Sequence, residues 1–112
     1  MLDQGTLNKV LVKFAQEMKE IFRGALKQVI LFGSYSTGNQ AEESDIDIMI
    51  LVDMDNAEIS EYRELVVNIA CDLSLEYDAV ISPMVQSYSQ FQEYKDVLPF
   101  FKNVEKGVKI GA

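Results

Sequence analysis

Apolar residues recur from Leu7 through Val10, Leu11, Phe14, Ala15, Met18, Ile21, Phe22 and Ala25, while Lys9, Lys13, Gln16, Lys19 and Glu20 fall between them. This i, i+3, i+4, i+7 spacing predicts an amphipathic helix ending near Gly24. The run Gln28–Phe32 stops at Gly33 and reads as a short buried strand. Residues 33–44 are rich in Gly, Ser, Asn and Glu and predict a loop with at most one helical turn. Asp45–Asp53 predicts a second strand. Its apolar stretch is continuous rather than alternating, so both of its faces are expected to be covered. Asp55 and Glu58 have the spacing of a capping box. The helix they open carries Ile59, Tyr62, Val66, Ile69 and Leu73 on one face and should end near Glu76. Asp78–Val85 predicts a third strand, with Pro83 marking an edge or a bulge. Ser87–Gln90 opens a short helix through about Asp96, and Pro99 starts a last helical turn that Gly107 closes. The expected class is α/β (α+β), a small mixed β-sheet flanked by helices.

Composition narrows the chemistry. At 112 residues the chain is expected to form a single domain over 1–112. Eighteen acids against ten bases leave a net charge of −8, and the bases are scattered. That balance argues against direct nucleic-acid binding, which needs clustered cations. No histidine is present, so histidine triads and zinc–histidine sites are excluded. The single cysteine, Cys71, allows no intrachain disulfide. With a polar start (Met1–Gly5) and no apolar run long enough for a bilayer, the expectation is a cytoplasmic protein without a membrane association.

Three features carry candidate chemistry. The turn Gly33-Ser34-Tyr35-Ser36-Thr37-Gly38 follows a strand, and its glycines, N–H groups and hydroxyls suit phosphate oxygens. It is no P-loop, since Asn39-Gln40 stand where Lys-Ser/Thr is required. Asp45 and Asp47 lie at i and i+2 on a strand, so both carboxylates face one side, with Cα atoms about 6.6–6.8 Å apart. Lys and Arg are absent from residue 28 to residue 62. With no nearby base in sequence to neutralise the two acids, a hard divalent cation is the cheaper explanation. The third feature is Asp78, an acid at the expected head of the third strand, with Glu76 next on the same parity.

Together, the spacing Gly-Ser-x3-Gly-x5-Ser-Asp-Ile-Asp from Gly33 to Asp47 resembles the signature of the DNA polymerase β-type nucleotidyltransferases, and in particular their minimal branch. The leading helix, the helix after the second strand and the closing segment Leu98–Gly107 are similar to that branch as well. The resemblance implies a polymerase β palm-like fold and transfer of a nucleoside monophosphate, AMP from ATP above all, to an acceptor hydroxyl. By position, Gly33 and Ser34 would hold the triphosphate, with Thr37 adding a hydroxyl and Gly38 the close turn. Asp45, Asp47 and Asp78 would be the catalytic, metal-binding carboxylates, holding two Mg²⁺ ions. Many members carry an arginine in the Gly-Ser loop. Here Tyr35, Ser36 and Thr37 stand instead, so the triphosphate charge must be met by other means.

So short a chain leaves little room for acceptor recognition, and the acceptor is expected on another protein. Members of the minimal branch resemble antitoxins that transfer AMP to a tyrosine of a HEPN-type ribonuclease toxin. That makes a HEPN partner the implied one, in a homo- or hetero-oligomer. A small hydroxylated acceptor, or a silent binding module, are the alternatives. About half of Phe91, Tyr94, Val97, Leu98, Phe100, Phe101 and Val104 are expected in the core, and the segment Tyr94–Val104 is expected to supply part of the partner surface.

Overall fold

The computed structural model describes residues 2–37 and 45–111. Helix α1 (Gln4–Phe22) is capped by Asp3, whose carboxylate accepts from the Thr6 N–H at 2.7 Å. It leaves helical space at Arg23 (φ 51°, ψ −125°), and Gly24 belongs to the 3-10 turn that follows, Arg23–Ala25. Next come β1 (Leu26–Phe32), a single turn α2 (Ser34–Thr37), β2 (Ile46–Val52) and the long helix α3 (Asn56–Tyr77). Both halves of the expected capping box are present on α3: Glu58 N–H donates to Asp55 at 2.8 Å, and Asp55 N–H donates back to Glu58. The chain closes with β3 (Ile81–Ser87), α4 (Tyr88–Tyr94), α5 (Pro99–Glu105) and a two-residue strand β4 (Val108–Lys109) that the sequence pattern did not signal.

The sheet runs β3-β2-β1-β4. β1 is antiparallel to both β2 and β4, while β2 and β3 are parallel from Ile46↔Ile81 to Val52↔Ser87. The sheet is therefore mixed, as expected, and Pro83 sits on an edge strand where a missing N–H is tolerated. Alternation along β1 and β2 divides the core in two. Val29, Leu31, Ile46, Ile48, Ile50 and Val52 face α1 and α3, together with Phe14, Met18 and Ile59. Ile30, Met49 and Leu51 face the other way, onto Phe91 of α4 and Val104 of α5. β2 is thus buried on both sides, which is why its apolar run is unbroken.

One boundary needs correction. The third strand does not begin at Asp78. Asp78 is the C-cap of α3 in the left-handed conformation (φ 50°, ψ 53°), and β3 starts only at Ile81. Ser74 sets this joint. Its hydroxyl donates to the Ala70 carbonyl at 2.6 Å and accepts the Ile81 N–H at 3.0 Å, while its carbonyl accepts from Ala79 at 3.0 Å. The turn is thereby fixed by a side chain inside the preceding helix.

Candidate active site

β2 begins at the sheet end where β1 stops, so Asp47 lies directly opposite Phe32 in the ladder, with Gly33 the next residue along. The parity of Met49 and Leu51 puts Asp45 and Asp47 on the α4–α5 face of the sheet. Asp45 is exposed and Asp47 half-buried. Burial, and after it the charge of Asp45, raises the Asp47 carboxyl above the ordinary aspartate range. A carboxylate that is costly to ionise beside a second one suits a hard cation, which would stabilise both in their charged form. The pair therefore fits Mg²⁺.

Gly33 adopts φ +74°, a conformation glycine reaches without strain. A Cβ at this position would collide with Asp47 Oδ2 and lie 3.3 Å from its Cγ. The start of the Gly-Ser loop is thus packed onto the more buried carboxylate. Tyr35 is buried in the α1–α3 core and anchors the loop without offering charge. The Ser36 hydroxyl is turned back on the loop, donating to the Gly33 carbonyl at 2.7 Å. Its proton is not directed at a ligand. Gly38, and the side chains of Ser34 and Thr37, lie outside the described residues.

Asp78 is not brought to the other two as a strand neighbour. The β3 residue in register with Asp47 is Ser82, and the Ile46 N–H bonds to the Val80 carbonyl at 2.7 Å, so Asp78 lies past the end of the paired region. Among the described residues no three of Asp, Glu and Cys form a group able to hold a metal. Glu76 is engaged elsewhere, in an ion pair with Lys13 at 2.9 Å that ties α3 to α1 on the far face of the sheet. On β3, Ser82 and Met84 share the face of Asp47 and Met49, and both are exposed.

The C-terminal aromatic segment divides as expected. Phe91 and Val104 are buried and Phe101 is half-buried, whereas Tyr94, Val97 (67% exposed), Leu98 and Phe100 are open. Phe100 stands edge-on to Phe32, with centroids 5.6 Å apart and planes at 83°. The placement of Phe32 beside Asp47, with Phe100 against Phe32, was not read from the sequence.

A small mixed sheet carrying two carboxylates at a strand start, with a glycine loop packed against one of them, is the arrangement of a nucleotidyl-transferring enzyme. The nucleotidyltransferase domain family matches residues 11–109, and the chain belongs to that family. It is a nucleotidyltransferase. Two relatives from Methanocaldococcus jannaschii carry the provisional name protein adenylyltransferase. One is 38% identical over 86% of this chain and 88% of its own length, the other 38% identical over 69% and 76%. Two solved toxin–antitoxin structures share the fold, each aligning over 94% of this chain and 73% of the other. One contains AMP-PNP (TM-score 0.51, 23% identity). The other is an MntA–HpeT mutant in which two aspartates, two positions apart, are glutamates (TM-score 0.50, 22% identity). No helix among the described residues is long and apolar enough to cross a membrane.

Proposed function

We propose that this chain, acting as a single domain, is a Mg²⁺-dependent adenylyltransferase that moves AMP from ATP to a hydroxyl of a partner protein. The observation that carries this reading is the packing of Gly33 onto Asp47. It sets a loop suited to phosphate against a carboxylate suited to the cation that accompanies phosphate. The names of the relatives support a protein acceptor. The toxin–antitoxin neighbours support a toxin as that acceptor, here proposed to be a HEPN-type ribonuclease modified on tyrosine.

In this reading the acceptor oxygen bonds to the α-phosphorus as the bond to the β-phosphate breaks, pyrophosphate leaves, and the hydroxyl proton is released. Asp45 and Asp47 would hold Mg²⁺. Bound there, the cation would offset charge on the attacking and leaving oxygens. Gly33 lets the backbone approach the triphosphate, and Ser34, Thr37 and Gly38 are proposed to complete that cradle. Tyr35 fixes the loop from the core side. Asp78 is proposed only as an outlying acid at the same end of the sheet, since Ser82 occupies the position beside Asp47. A cytoplasmic setting supplies the ATP and Mg²⁺ this reading requires.

The test is incubation with α-³²P-labelled ATP and Mg²⁺, with and without the product of the adjacent gene, followed by mass mapping of any modified tyrosine. Label on the partner supports the proposal. Label on an added small hydroxylated compound alone would move the acceptor to that class. Tight partner binding with no label on anything would make the chain a silent binding module.

A further inference from the structure

We infer that Phe100, backed by Phe32, is the wall against which the nucleobase of the nucleoside triphosphate stacks. The inference rests on the nucleotidyl-transfer reading above and names the base-binding surface of that same site.

Phe32 and Asp47 are direct partners in an antiparallel ladder, so their side chains share a face, with Cβ atoms about 4.5–5.5 Å apart. Phe32 is also the residue immediately before Gly33. A phosphate held on the loop and a ring placed over Phe32 are therefore within the length of one nucleotide, and the base is tethered to the phosphates. Phe100 and Phe101 are consecutive, yet they take different roles. Phe101 turns to the buried Phe91 (centroids 5.1 Å apart) and completes the core. Phe100 remains 43% exposed although it meets Phe32. Phe100 meets Phe32 edge-on and Phe101 at a tilt (centroids 6.1 Å apart), and its remaining exposure leaves ring surface for an offset stack, the geometry aromatic pairs favour.

The two flanks of Asp47 differ in chemistry, and this decides between base and acceptor. On the β1 side stand the two phenylalanine rings. On the β3 side the residues level with the acid and beyond it are Ser82 and Met84, both exposed. A flat heteroaromatic ring fits the first flank, since every base offers a π-face. The second flank leaves room for an incoming hydroxyl.

The experiment is calorimetry on the full chain with two probes in Mg²⁺: ATP, and inorganic tripolyphosphate, which has the phosphates but no base. Phe100→Ala should weaken ATP binding by about five- to 150-fold, the range of base–aromatic stacking, and leave tripolyphosphate binding as in the wild type. Phe100→Tyr should keep ATP affinity, and Phe100→Leu, which retains apolar bulk without a π-face, should lose it. Unchanged ATP binding in Phe100→Ala, equal loss of both probes, or full retention by Phe100→Leu would each overturn the inference. So would intact ATP binding combined with lost transfer to the protein acceptor, since the ring would then belong to the acceptor's surface. A wild type that binds neither probe would instead remove the nucleotidyl-transfer reading itself.

Discussion

Gly33 follows the end of β1 and Asp47 lies in β2, and the absence of a side chain on the first is what leaves space for the carboxylate of the second. The φ of +74° at Gly33 brings the loop back over the start of β2, and any Cβ there would displace Asp47 Oδ2. The glycine therefore serves two ends: the turn itself, and the position of the acid.

Gly33→Ala should cost about 1–3 kcal/mol of stability from the left-handed backbone alone. Because the methyl group also displaces Asp47, Mg²⁺-dependent ATP binding should fall more than stability does. Urea midpoints and calorimetry on the same preparation separate the two effects. Loss of stability with ATP affinity unchanged would detach the loop from the carboxylate.

Replacing Asp45 and Asp47 together with Asn should reduce adenylyl transfer by about a thousandfold or more, in line with the several kcal/mol a cation clamp supplies. The fold should persist, since no core residue is changed. Transfer at the wild-type rate in the double variant would exclude these acids from the reaction.

The metal-free protein should become less stable as pH rises through the Asp47 titration. Its carboxyl is raised in the folded chain, by burial first and Asp45 second, so the folded state binds the proton more tightly than the unfolded state. Stability contributed by the protonated form is thus present at low pH and lost as pH climbs from the ordinary aspartate range past the raised value. Asp47→Asn should flatten this part of the profile in thermal melts without metal. A wild-type profile that rises across the same interval and is unaffected by the substitution would contradict the assignment.

With Phe100 assigned to the base, the exposed row Tyr94, Val97 and Leu98 is the part of the C-terminal segment proposed to meet a protein partner. Val97→Glu and Leu98→Glu should reduce co-purification with that partner while circular dichroism remains that of the wild type. Truncation after Asp96 is a poor substitute for these variants. It would remove buried Val104 and the strand that pairs Val108 with Leu31, so the fold itself would suffer. Unaltered partner recovery in both glutamate variants would move the interface elsewhere.

Removing the α3 cap by Asp55→Ala should cost about 0.5–2 kcal/mol, since the Glu58 N–H loses its acceptor. The effect should appear in the denaturant midpoint and leave ATP affinity untouched. A matching drop in affinity would mean that α3 supports the site more directly than its position implies.

The turn at Gly33 and the shared face of Asp45 and Asp47 were legible because their signal is local: a continuous apolar strand with two aspartates at its head, and a glycine where the chain turns. The start of β3 was not. Alternation alone extends the strand back to Asp78, but the bonds Ser74 makes to Ala70 and Ile81 hold Asp78 in the left-handed turn instead. No hydrophobic pattern encodes a serine hydroxyl reaching past a helix end. The pairing of Phe32 with Phe100 was hidden for a different reason, because it joins the first strand to the last helix and depends on which of two adjacent phenylalanines the core takes. β4 escaped because two exposed residues carry no periodicity, although Gly107 before it is pressed against Ile30 and Val104 in a way no larger residue would allow.

Pro83 has a consequence for assembly. A sheet this small has two borders, and a border strand with its full set of donors invites another chain to extend it. On the β4 side the border is only two residues long. On the β3 side it contains a residue that cannot donate, level with Ile48 in the middle of the strand. A neighbouring molecule that tried to zip onto β3 would find its ladder broken halfway. The flank beside Ser82 is thereby protected against self-association at the place where the acceptor is proposed to enter.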